Sequence, residues 1–328
     1  MKTSNLFTLF IVSSLIFITF SCQKDEVNNS ISAPKTYSFK THLSEYNLYS
    51  GNMSDLSPTN GYEEFDLSSS LFVNYAHKQR LIKLPNGQKI KKINEELPFF
   101  PEGTQLIKTF YYYKDEMNPS FGKQIIETRF LVKSQNQWNV ATYVWNENQT
   151  DATIKLNGDQ TNISWKDKNS INKSINYRIP SEQECTDCHQ LNQEVTPIGP
   201  KLNNMNIMVN RNGIIKNQLQ HFQDLGMMEN FDHASISVLP DYFDNQFSLE
   251  DRGRAYFELN CAHCHNPNGF CNQKPFDFRY LTPIENTLLK EKKGPIKTVI
   301  SKQRMPLIGI STLDEEGYKL VQDFLNAI

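Results

Sequence analysis

The chain has 328 residues, 38% of them hydrophobic, with a formal net charge of −2 and a pI near 6.4. That length accommodates two or three domains with real cores. The near-neutral balance excludes a globally basic nucleic-acid binder and a surface drawn to anionic lipid by overall charge, so any electrostatic partner contact has to be a local patch.

Lys2 followed by the apolar run Leu6–Phe20 and then Ser21-Cys22 reads as a secretory signal, too short for a membrane span. Thr19-Phe20-Ser21-Cys22 resembles a bacterial lipoprotein box, although Phe20 departs from the small residue usual there. Residues 1–22 are then a signal ending at Cys22, which would carry acyl chains and anchor the protein to the outer membrane of the cell envelope. The acidic pair in Gln23-Lys24-Asp25-Glu26 looks like an export tag of surface lipoproteins. Gln23–Lys35 reads as a polar tether, and a short helix is expected within Thr36–Asn60, giving a 23–60 tether-and-helix segment.

From 61 to 180 the pattern is that of strands. Period-two alternation of β-branched and aromatic residues runs through Leu106–Tyr113, Gln124–Val132, Trp138–Trp145 and Ala152–Leu156, with turn signals at Pro85-Asn86-Gly87 and Asn157-Gly158. Short strands at this spacing predict an antiparallel β-sandwich-like or barrel-like domain. Trp138, Trp145 and Trp165 are expected to fill its core. No His or Cys lies between His77 and Cys185, so a copper or zinc site inside this domain is not expected.

After Pro180 the chain changes character. Cys185-Thr-Asp-Cys188-His189 and Cys261-Ala-His-Cys264-His265 repeat one signature in a chain with only seven histidines. Cys-x-x-Cys-His is the motif of c-type haem attachment: two thiols one helical turn apart can form thioethers to both vinyl groups, and the adjacent imidazole takes an axial position on iron. Structural zinc ribbons separate their ligand pairs by about 12–20 residues, far less than the separation here. Two covalently bound haem c groups are therefore expected, at Cys185, Cys188 and His189 and at Cys261, Cys264 and His265. Cys22 and the four motif cysteines leave Cys271 alone, read as a buried filler or a free thiol.

Residues 181–247 are read as a first haem-binding module with a helix at Ile214–Leu225. In 248–328, Ser248-Leu-Glu-Asp251 predicts a capped helix Leu249–Leu259, and Ser311 and Thr312 are expected to cap a last helix, Leu313–Ala327. Gly253 and Gly317 would let these two helices cross closely. Ser248–Ile328 resembles a class I cytochrome c domain, which implies Met305, followed by Pro306, as the distal thioether ligand. The distal ligand of the first haem stays open among Met205, Met208, Met227, Met228, His221 and His77, or none. The expected fold is thus α+β and multidomain, an N-terminal β-sandwich-like domain followed by α-helical cytochrome c modules.

Further pieces extend a resemblance from roughly residue 40 to beyond 270. They are Ser70-Leu-Phe-Val-Asn-Tyr-Ala76, Phe100-Pro-Glu-Gly-Thr104, Ile126-Glu-Thr-Arg129, Tyr143-Val-Trp145, Pro197-Ile-Gly-Pro200, Asn217-Gln-Leu219 and Arg252-Gly-Arg-Ala-Tyr256. With the motifs, they make the chain similar to secreted di-haem c-type cytochromes of unassigned function, a resemblance that implies architecture and haem count and no reaction. Three functions compete: electron transfer between redox partner proteins at the bacterial envelope, on the periplasmic or cell-surface side; a peroxidase-like haem enzyme with an open first haem; and a redox subunit docking a partner enzyme through the β domain. No nucleic-acid partner is expected.

Overall fold

Four of the strands are built from the alternating apolar, β-branched and aromatic runs of the sequence, and they pair in the order in which the chain makes them. A computed structural model describes residues 37–328. The signal segment, Cys22 and the tether to Lys35 lie outside those residues. Strands β1 (Glu63–Glu64), β2 (His77–Lys83), β3 (Gln105–Tyr113), β4 (Lys123–Ser134), β5 (Gln137–Trp145) and β6 (Ala152–Ile154) form one antiparallel meander in sequence order. The β4–β5 turn places Gln135 and Asn136 at φ 54° and 62°, the left-handed pair of a tight hairpin turn. The Glu102 carboxylate accepts hydrogen bonds from both turn amides. β7 (Asp159–Lys166) and β8 (Asn172–Ile179) make a separate hairpin.

Both faces of the meander are covered. On one face Leu81, Ile107, Phe130, Ala141 and Tyr143 pack against Leu43, Leu48, Tyr49 and Leu56 of the N-terminal segment, which contains two 3-10 turns, Leu43–Tyr46 and Met53–Asp55. The opposite face has two apolar ends. Ile82, Leu106, Leu131 and Val140 meet Leu202, Met205, Leu219, Phe222 and Met228 at one end. Phe110, Tyr112 and Ile126 meet Ile163, Trp165, Tyr177 and Ile179 of the β7–β8 hairpin at the other. Trp145 and Trp165 are buried and Trp138 is half-buried against the first of these ends.

This arrangement overturns the expected fold class. There is one six-stranded sheet with a hairpin over part of it, not a β-sandwich, and separate α-helical cytochrome c modules are absent among the described residues. The segment after the hairpin holds α1 (Glu182–Cys188), the two-residue strands β9 (Gln190–Leu191) and β10 (Glu194–Val195), α2 (Leu202–Met205), β11 (Met208–Arg211), β12 (Ile214–Asn217) and α3 (Gln218–Asp224). Its apolar residues complete the core of the sheet instead of facing one another. The expected helix at Ile214–Leu225 begins only at Gln218, because the Asn217 side chain accepts from the amides of Leu219 and Gln220, and Ile214 and Ile215 lie exposed on a strand.

The last three helices are α4 (Leu249–Asn260), α5 (Leu289–Ser301) and α6 (Glu315–Ala327). Asp314, not Ser311 or Thr312, caps α6, accepting from the Gly317 amide at 3.0 Å. These helices are bound to the sheet through the loop before β2: the Phe72 amide donates to Asn260 Oδ1, the Ser311 amide to Asn74 Oδ1 and the Tyr75 hydroxyl to the Leu313 carbonyl. Residues 37–328 thus fall within a single packed unit.

A Cβ added at Gly253 would overlap the ring of Phe324, and one at Gly317 would overlap Tyr256 and Asp314. Gly294, inside α5, has open space around it. Gly253→Ala is therefore expected to destabilise the protein by about 1–3 kcal/mol through overpacking, whereas Gly294→Ala, which meets nothing in space but precedes Pro295 in the helix, is expected to change stability little. Urea titrations of the two variants against the parent check both outcomes.

Candidate functional site

Motif one is held on a single turn of helix. Ser181 caps α1 through a reciprocal capping box with Glu184, so Cys185 and Cys188 lie one turn apart and His189 ends the helix. Cys185 is buried in the sheet core with its Sγ 3.9 Å from Thr142 Oγ1 of β5, and burial pushes its thiol up to about 11. His189 Nδ1 lies 2.9 Å from the Thr196 carbonyl. A carbonyl can only accept, so Nδ1 carries the proton and Nε2 keeps its lone pair. A fixed tautomer of this kind is what a metal-binding imidazole needs. Burial holds the ring in its neutral, ligating form.

The second motif follows α4. Burial raises Cys261 to about 12 and pulls His265 down to about 4. The His265 ring is flanked by Phe276 and Phe278, each with its centroid 5.6 Å away, and its Nδ1 is sealed from solvent without a hydrogen-bond partner. An unpartnered buried ring nitrogen is costly. Cys271, also buried, donates its amide to the Cys264 carbonyl at 3.0 Å and thereby closes the loop behind the motif.

The two motifs, far apart in sequence, meet. The Cys188 thiol lies against Cys264 and the ring of His263, neighbours that favour its thiolate. The Asn192 amide donates to the Asn268 carbonyl at 2.8 Å, and Leu191 bridges Gly269. Lys201 Nζ joins Glu258 of α4 at 2.5 Å and Glu96 at 3.2 Å. A pocket at this junction is lined by Cys185, Cys188, His189, His263 and Arg129, and the loop Pro306–Ile310 closes over it. Met305 begins that loop and is half-buried; its successors turn towards His189, while His265 is packed by the two phenylalanines.

Haem passes the test of donor chemistry at both motifs: each presents two thiols one turn apart with a part-buried imidazole held towards its neutral form, and His189 has the lone pair of Nε2 free. No group of three or more His, Cys, Asp or Glu side chains converges as a metal site among the described residues.

The expected distal residues for the first motif lie elsewhere. Met205 and Met228 are buried in the core beneath the sheet, Met227 packs beside them, and Met208 is exposed. His221 lies near Glu63, 4.0 Å away, and His77 stacks on Tyr111 and pairs with Glu116. His263 is the imidazole that shares the pocket with His189. As an interior residue of the second motif, it carries no sequence signal that separates it from any other side chain there.

Arg129, which lines the pocket, pairs with the fully buried Glu127 through its Nη2 at 2.6 Å and its Nε at 3.1 Å, and the Tyr177 hydroxyl donates to Glu127 Oε1 at 2.7 Å. Compared with known protein families, with curated proteins and with solved structures, the chain gives no match.

Removing the cation alone leaves Glu127 charged in the core. Arg129→Met is expected to cost about 3–5 kcal/mol, and Arg129→Met combined with Glu127→Gln markedly less, because the second change removes the orphaned charge. Chemical denaturation of the two variants at neutral pH checks the order.

Proposed function

We propose that the protein is a di-haem c-type cytochrome that passes electrons at the bacterial cell envelope, one haem joined at Cys185 and Cys188 with His189 on iron, the other at Cys261 and Cys264 with His265 on iron. The observation that carries this reading is the meeting of the two Cys-x-x-Cys-His motifs, with Cys188 against Cys264 and His263. Attachment points in contact put two redox groups side by side, as a relay between a donor and an acceptor protein requires. Haem supplies one-electron chemistry, and its axial ligands and surroundings set the potential. Here the chain holds His189 in one tautomer through Thr196 and keeps both ligand imidazoles neutral by burial. Met305 would supply a thioether ligand to haem iron; the motif implies the haem of His265, while the loop that follows Met305 lines the pocket of His189.

The intact mature protein is expected to exceed its polypeptide mass by two haems, with Cys185→Ala and Cys261→Ala each disturbing attachment at its own motif only. Met305→Ala should keep both haems and convert one of them from low spin to a more open form. A mass showing zinc, one haem or none sinks the reading.

One observation favours a peroxidase-like alternative: none of Met205, Met208, Met227, Met228, His221 and His77 lines the pocket of the first motif. Carbon monoxide or peroxide binding rapidly at one haem would decide for catalysis, and inertness for the relay.

Anchoring through acylated Cys22 completes the proposal. Stable attachment takes more than one acyl chain, and among the described residues no helix is long and apolar enough to cross a membrane. Cys22→Ser should release a soluble protein that keeps both haems, as membrane fractionation with haem staining will read. Wild-type protein that fractionates as soluble refutes the anchor.

A further inference from the structure

The sheet carries a row of cations beneath the junction pocket. Register sets Arg80 of β2 opposite Lys108 of β3, and Lys108 opposite Arg129 of β4. Lys78 stands two residues from Arg80 on the same face. Arg129 is in turn opposite Thr142 of β5, the residue whose hydroxyl touches Cys185. The row therefore starts at the first motif and runs away from it across the strands, between the two apolar ends of that face.

Like charges directly opposite in a sheet repel, and cations partly withdrawn from water without a counter-charge are costly; Lys78, Arg80 and Lys108 are all part-buried. Arg129 is answered by Glu127. Among the described residues, Lys78, Arg80 and Lys108 form no ion pair. Lys108 lies over the Phe110 ring, and Arg80 reaches only Ser70 Oγ, at 3.0 Å, while its Nε is sealed without a partner. Burial and the neighbouring cations pull Lys78 down to about 7 and Lys108 well below its usual range. A face that is apolar at both ends and cationic in the middle lacks a negative group. Its position fits a group fastened at Cys185 and Cys188: at a strand spacing of about 4.8 Å, Lys108 and Arg80 lie about 10 and 14 Å from β5, which is the scale of a porphyrin measured from its vinyl edge to its carboxylate edge.

We infer that Arg80, Lys108 and Arg129, with Lys78, form the anion-binding floor of the first attachment site and take the paired carboxylates of the porphyrin joined at Cys185 and Cys188. This rests on the haem reading above. It gives the sheet a direct part in the cofactor site, in place of a spacer or a docking surface for an unnamed partner.

The test uses the mature holoprotein and three variants: Lys108→Met, Arg80→Gln and Lys108→Arg. Mass spectrometry of the peptide spanning Cys185 and Cys188 establishes attachment. Redox titration and reduced-minus-oxidised infrared spectra then read the midpoint potential and the carboxylate stretches. With haem retained, Lys108→Met and Arg80→Gln are each expected to shift a carboxylate stretch and to lower the potential of one haem, since a lost cation favours ferrous iron less; Lys108→Arg should preserve both. If Lys108→Met does not accumulate, Arg80→Gln carries the measurement, because its guanidinium makes a single hydrogen bond in the fold. Haem retained with unmoved stretches and potential overturns the floor alone. An unmodified wild-type peptide overturns the haem reading and this inference together.

Discussion

The sheet has no free face, and most of the architecture follows from that constraint. In β4, Ile125 through Thr128 are four consecutive buried residues, which a strand shows only when both of its faces are covered. One cover is the N-terminal segment. The other is assembled from the hairpin after β6 and the segment after α1. Those segments are then committed to the sheet, and the first cysteine motif, lying between them in sequence, is pressed against β5. Independent modules cannot form when the apolar residues of one segment are the core of another.

The buried Glu127 fixes the seam between the two covers. It binds Arg129 within β4 and Tyr177 from β8, so the hairpin is tied to the sheet by a charged hydrogen bond beside the pocket. A buried ion pair of this kind adds little net stability, since desolvation offsets the attraction. Its effect is positional: it forces the hairpin, the pocket wall and the cationic row into one arrangement.

The strands were legible because alternation, β-branching and turn residues report local geometry directly: expected Gln124–Val132 became Lys123–Ser134, and Trp138–Trp145 became Gln137–Trp145. The start of α4 was legible from Ser248 and Asp251 for the same reason. Helix α5 was not, since its N-cap is Leu288 in a left-handed conformation with no side-chain cap and Pro295 lies inside it. The start of α6 was misplaced because Ser311, Thr312 and Asp314 are all plausible caps, and only the packing of Gly317 against Tyr256 selects the last. Each cysteine motif was visible alone. Their meeting was not, because it depends on which face of the sheet the intervening chain covers. The cationic row was hidden in the same way: Arg80, Lys108 and Arg129 are unremarkable in sequence and become neighbours only through strand register.

The contacts that hold the motifs together bear on which chemistry suits the site. Lys201 follows the first motif and Glu258 precedes the second, and their ion pair, only part-exposed, spans the junction with Glu96 as a third member. The backbone bond from Asn192 to Asn268 and the bridge of Leu191 to Gly269 add ties that no side-chain rotation can release. Gly269 is packed so closely against the Cys264 carbonyl and Asn266 that a Cβ there has no room. A site that opens to admit and release a substrate draws on weakly held segments. Transfer of electrons between two fixed groups needs the reverse, a separation that stays constant while charge moves. The double tie across the junction therefore suits the proposed relay better than a catalytic pocket, and its members, Lys201, Glu258, Asn192, Asn268, Leu191 and Gly269, all lie outside the two cysteine motifs.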